Sequence, residues 1–249
     1  MNRKIMKVLI FLLIFINIHV NYIALACEPN EKSANDKSNF IICIDPGHQG
    51  KGDNRGEPVA PGSNNKKARV SSGTAGVATK RAEHVVNLEA AMILKEILVN
   101  NGYKVVMTRE SADVNISNVD RAEIANKANA DITIRIHCDS INDGGKVGAS
   151  ILVPSKESKY TSTIYEESNK YATILCNNLK ESNVKVNGIF ERSDITGFNW
   201  SKVPVIILEM GFMSNYNEDR MLSNPEYQRM LMECVAKSID EYRVTEKYN

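Results

Sequence analysis

The stretch Ile41-Ile42-Cys43-Ile44-Asp45-Pro46-Gly47-His48 decides how the rest of the chain is read. Its apolar run is too short for a helix and suits a strand buried on both faces. Asp45-Pro46-Gly47 ends the run, because proline withholds a ladder donor and glycine accepts tight turns. His48 therefore stands just past the carboxyl end of a strand, the edge at which open α/β sheets bind ligands.

Working outward, the pattern alternates. Glu83 opens a helix that ends near Asn100, with Val86, Ala90, Ile93 and Ile97 on one face and Leu94 and Leu98 widening it. Asn101-Gly102 supplies the stop. Lys104 to Arg109 reads as a second strand, and Ser117 with Asp120 as the cap of a helix carrying Val119, Ala122, Ala125 and Ala128. Asp131 to His137 is a third strand, and again a histidine ends it. Val147 to Val153 is a fourth, stopped by Pro154, and a helix follows from about Thr163 to Glu181. Val203 to Glu209 is a buried strand ending in a carboxylate. Asn224-Pro225 starts a last helix through Met230, Leu231, Val235 and Ile239. Strands alternating with helices predict a single α/β domain, a central sheet flanked by helices. The tract from Gln49 to Arg81, rich in glycine, asparagine and lysine, shows no period and is expected to be a loop over the site.

The chain has 249 residues, 43% hydrophobic and 24% charged, enough for one domain with a real core. A net charge of +1 gives no sign of a nucleic-acid binder, which needs a concentrated basic face. Arg3, Lys4 and Lys7, an apolar run from Val8 to Ile16 and Ala24-Leu25-Ala26 describe a signal peptide over residues 1–26. Without those basic residues, 28 Lys and Arg face 30 Asp and Glu, a net charge of −2. An uncleaved segment, or a lipid on Cys27, would instead anchor the chain to a membrane. Residues 27–39 are polar and read as a linker, which leaves 40–245 as the folded domain. Cys27, Cys43, Cys138, Cys176 and Cys234 lack framework spacing and read mostly as small buried hydrophobes.

His48 and His137 end two strands, and Glu209 stands at the matching place on another. Catalytic zinc takes imidazole nitrogen and carboxylate oxygen from three protein ligands and keeps one open position. The histidines supply two. Glu83 or His84 could supply the third; neighbours on a helix diverge by about 100°, so only one can face the metal. Otherwise the pair is a solvated helix start. Emerging from an apolar wall, Glu209 should hold protons more tightly than an ordinary carboxylate, while a nearby zinc would loosen them; such a group can relay a proton. The plainer alternative pairs it with Arg192 or Arg109.

Ile44-Asp45-Pro46-Gly47-His48, Glu83 with Asn87-Leu88, Thr108-Arg109, Arg121 with Ala125-Asn126, Ile136-His137, and Leu208-Glu209-Met210-Gly211-Phe212 with Ser214-Asn215 occur in one order. This set resembles the zinc-dependent N-acetylmuramoyl-L-alanine amidases of the amidase-3 type, from about Phe40 to Tyr242. The resemblance implies a mixed, mostly parallel sheet, zinc on His48, Glu83 and His137, and Glu209 as the catalytic glutamate. It implies hydrolysis of the amide between muramic acid and L-alanine, with the glycan strand and stem peptide of peptidoglycan as partners. An exported monomer acting outside the cytoplasm, in cell-wall or spore-cortex remodelling, is the expectation. Arg135 before and Asp139 after the second histidine depart from the family's usual residues. A zinc peptidase of stem peptides uses the same metal logic, and a non-catalytic wall-binding protein is the remaining alternative.

Overall fold

The computed structural model describes residues 37–246; the expected signal segment 1–26, Cys27 and most of the linker lie outside them. Strand β1 (Ile41–Pro46) lies inside a six-stranded sheet, between β4 (Lys104–Met107) and β5 (Ile132–Asp139), both parallel to it. Strand β8 (Val205–Phe212) continues in parallel beyond β5. Strand β6 (Ala149–Pro154) then runs antiparallel to β8, and β7 (Val186–Arg192) closes that side parallel to β6. The sheet is thus mixed and mostly parallel, as expected.

The side-chain period of two explains its two faces. Ile42, Ile44, Ile132, Ile134, Ile136, Ile206 and Leu208 join the main core beneath three helices. These are α1 (Glu83–Asn100), α3 (Ser162–Glu181) and α6 (Pro225–Glu246), where α6 packs on both α1 and α3. Cys43 faces the other way, against Ala125 of α2 (Asn118–Ala128). Val205 and Ile207 also leave the main core, to meet Phe198 of the short α4 (Thr196–Asn199). Cys43, Cys138, Cys176 and Cys234 are buried free thiols.

Local signals set the boundaries. Ser117 and Asp120 form the anticipated capping box of α2, and the Asn224 side chain accepts from Glu226 N at the start of α6. The tract from Gln49 to Arg81 departs from the expected loop, because it contains an antiparallel hairpin, β2 (Asp53–Pro58) with β3 (Lys66–Val70). Its strands are mostly polar and bury only Val70 among their apolar side chains, so no apolar alternation marks them. Docking fixes them instead: Glu57 accepts from Asn118 N and Val119 N at the α2 N-terminus, and Trp200 Nε1 donates to Pro58 O. Strand β7 was not anticipated either; it is a half-exposed edge strand that rests Val186 and Ile189 on the core and is interrupted by Gly188 at φ 148°.

Candidate metal centre

The turn after β1 is held by buried charge. Asp45 Oδ1 accepts from Thr108 Oγ1 (2.5 Å) and Arg121 Nη1 (2.6 Å), and Oδ2 accepts from Arg135 Nε (2.7 Å). Burial alone would raise the Asp45 carboxyl, but the Arg121 and Arg135 guanidiniums outweigh it and hold it well below the usual carboxylate range. The same arginines grip the chain that follows. Arg121 donates to Pro46 O and His48 O, and Arg109 to Pro46 O, Gly47 O and His84 O. These bonds fix His48 in the left-handed region at φ 61°, which few residues other than glycine adopt. The imidazole is thereby turned over the sheet edge, where Nδ1 lies 3.0 Å from both Ser71 O and Ser71 Oγ.

Glu83 is the first residue of α1 and is only 3% exposed. The positive end of the helix dipole favours a carboxylate there. Oε1 accepts from Asn87 Nδ2 (3.1 Å), one helical turn on, and from Cys138 N (3.2 Å). Oε2 accepts from Thr74 N (3.0 Å). The loop bearing Thr74 is pinned in turn by Asp219 of α5 (Tyr216–Leu222), which accepts from Ala78 N and Thr79 N. His84 contributes its backbone carbonyl to Arg109 and does not join the cluster.

The structure brings together the anticipated set. Ligand atoms of His48, Glu83 and His137 all lie within 4.8 Å of one another. Glu83 Oε1 is 3.1 Å from His48 Nε2 and 3.3 Å from His137 Nδ1. The two rings meet edge to face, centroids 4.8 Å apart. His137 is wedged beneath Gly47, where a Cβ would fall 2.2 Å from His137 Cε1, so only glycine fits.

These donors fit a zinc ion. Tetrahedral bonds of about 2.0–2.1 Å put neighbouring ligand atoms about 3.3 Å apart, matching the 3.1 and 3.3 Å separations. Ser71 holds the His48 ring through Nδ1, which leaves Nε2 on the side of the Glu83 carboxylate. Burial drives the His137 pKa down to about 4 despite the nearby Glu83, so this ring is neutral at pH 7 and a competent ligand. For Glu83, burial acts upward, but the contacts from His137 and then His48 prevail and keep it ionised.

Glu209 stands directly beside His137, its register partner across parallel β5 and β8. Burial above all, then the charges of Glu83 and Asp139, push its carboxyl well above the ordinary range. Neither arginine named in the sequence reading bonds it: Arg109 serves the β1 turn, and Arg192 binds Asp194. A carboxyl with a raised proton affinity thus borders a cluster able to hold a cation. Sequence reasoning did not find Ser71 or Thr74, which lie on an irregular segment, or Asp219 on the short α5. Asn87 was available from its position four residues after Glu83.

A model of the family described as N-acetylmuramoyl-L-alanine amidase matches residues 42–241. Among curated proteins, the N-acetylmuramoyl-L-alanine amidase Rv3717 of Mycobacterium tuberculosis is 25% identical over 215 residues, 83% of this chain and 88% of that protein. The germination-specific N-acetylmuramoyl-L-alanine amidase of Bacillus subtilis is 27% identical over 231 residues, 84% of this chain and 82% of that protein. Among solved structures, Ami1 of Mycobacterium smegmatis, an N-acetylmuramyl-L-alanine amidase, superposes with a TM-score of 0.75 at 23% identity. That superposition covers 83% of this chain and 98% of Ami1. With the family match spanning most of its length and the same fold in Ami1, the chain belongs to the N-acetylmuramoyl-L-alanine amidase family.

Proposed function

We propose that the chain hydrolyses the amide bond between N-acetylmuramic acid and L-alanine in peptidoglycan, with zinc held by His48, Glu83 and His137. The observation that carries this reading is the convergence of two imidazoles and a carboxylate beside a register-paired glutamate of raised proton affinity. Zinc, when bound, supplies a Lewis acid that polarises the scissile carbonyl and acidifies the attacking water. Ser71 holds the His48 ring, and Thr74, Asn87 and Cys138 fix the Glu83 carboxylate, so the ligands are preorganised. Glu209 takes the proton of the attacking water and returns it to the nitrogen of the departing L-alanine.

The basic, then apolar, N-terminal segment supports action outside the cytoplasm. The germination-specific relative supports a place in cell-wall or spore-cortex remodelling. Digestion of purified peptidoglycan, with mass spectrometry of the fragments, tests the bond. The amidase reading requires new L-alanine amino termini and intact lactyl groups on the glycan. Cleavage within the stem would make the protein a peptidase, and binding without release would make it a wall-binding protein. In the same assay Glu209→Gln should retain zinc and lose about 10²- to 10⁴-fold in turnover. A Glu209→Gln enzyme at near wild-type rate would remove this residue from the chemistry.

A further inference from the structure

Beside the metal cluster lies a groove of about 420 Å³, lined by Lys51, Asp53 and Arg55 on one rim and by Asp113, Val114 and Asn115 on the other. Its rims are stitched together at the end nearest His48. Gly50 N donates to Ala112 O (2.8 Å). The Gln49 side chain, 1% exposed, donates to Lys51 O and accepts from Ile116 N, one bond to each rim. Gly52 abuts Ser72, next to the Ser71 that orients His48, with space for a Cβ only 2.7 Å from Ser72 Oγ. The groove is therefore preformed, and its Gly52 wall backs onto the segment that holds the His48 ring.

Its charges are unevenly committed. Arg55 is spent on Asp53, donating from Nε (2.9 Å) and Nη2 (2.6 Å). The Lys51 ammonium, the Asp113 carboxylate and the Asn115 amide have no hydrogen-bond or ion-pair partner among the described residues. A cation on one rim thus faces an anion and an amide on the other. N-acetylated sugars carry no charge to match that pair; a peptide with ionised carboxylate and amino groups does.

We propose that this groove is the subsite for the charged stem peptide beyond L-alanine, with Lys51 receiving a peptide carboxylate and Asp113 a peptide ammonium. The assignment rests on the amidase reading above and fixes on which side of the cluster the peptide lies. It makes Lys51 and Asp113 determinants of specificity, not of bond cleavage.

The test compares two substrates on the zinc-loaded protein: a muropeptide with its whole charged stem and N-acetylmuramoyl-L-alanine alone. The wild type should favour the whole stem through a lower KM. In Lys51→Ala and in Asp113→Ala that preference should fall by about fivefold each, the size of an exposed charge contact. The swap Lys51→Asp with Asp113→Lys should recover part of it. Calorimetric titration with the released L-alanyl stem peptide should show the same ranking without turnover. An active enzyme whose preference and peptide affinity are untouched by these changes would overturn the subsite and leave the amidase reading standing. A wild type that frees no L-alanine-terminated peptide would overturn both.

Discussion

Gly47 shows how much the site asks of a single atom. The His137 ring occupies the space where any Cβ at that position would lie, so Gly47→Ala must push the imidazole out of the cluster or bend the β1 turn. His48, the next residue, already sits in the left-handed region and has little room to follow. We expect Gly47→Ala to weaken zinc affinity by about 10- to 100-fold, as other losses of ligand support do, with little change in far-ultraviolet circular dichroism. Competition with a fluorescent chelator measures it, and wild-type affinity would show that His137 tolerates displacement. His48→Ala should go further and lower zinc content at saturation, which elemental analysis reads directly. The sequence already displayed both histidines and Gly47. It did not display Ser71, which holds the His48 ring and whose neighbours follow no period.

At the scale of elements, the unit that matters is β1 with its turn and the three arginines that converge on it from the β4–α2 segment and from β5. Asp45 is the pivot: it is 1% exposed and meets Arg121 of α2 and Arg135 of β5 at once. Removing its charge strands two guanidiniums in the interior, so Asp45→Asn should cost about 3–5 kcal/mol at neutral pH. The sign with pH follows from a carboxyl held below its unfolded value of about 3.8. Its contribution is complete above that value and is lost progressively as pH falls toward the depressed folded one. Urea titrations from pH 7 to pH 2 should therefore show a constant gap between wild type and Asp45→Asn down to about pH 4, then a narrowing one. A gap that widens in acid would mean that Asp45 is not the ionised partner. This element was half legible. The strand and its break were plain, because apolar runs and proline act locally. The arginines could not be assigned from sequence, since Thr108, Arg121 and Arg135 meet Asp45 only when the sheet and α2 come together. The β2–β3 hairpin failed for a related reason: Glu57 and Trp200 hold it from outside, and neither partner is near in sequence.

For the whole molecule, the parallel strands and the helices over the main core were readable because each buries a face with its own period, as in Ile42 and Ile44 of β1 or Val86, Ala90 and Leu94 of α1. The edge strand β7 was not, since exposed strands need no such pattern. What the period could not convey is that the folded domain brings three ligand groups together. Glu83 Oε1 receives bonds from Asn87 and Cys138 and faces two imidazoles besides. Zinc should act as a folding ligand as well as a cofactor. At zinc about a thousandfold above its Kd, native-state binding is worth about 4 kcal/mol, which for a domain of this size raises Tm by about 10 °C. Scanning calorimetry of the protein with chelator, and again after zinc is restored, should show that rise and its reversal. In His48→Ala the rise should shrink sharply, while in Glu209→Gln it should persist, because Glu209 stands beside the cluster and not in it. A melting temperature indifferent to zinc would mean that the native cluster does not bind the ion, and that its geometry serves the surrounding hydrogen bonds alone.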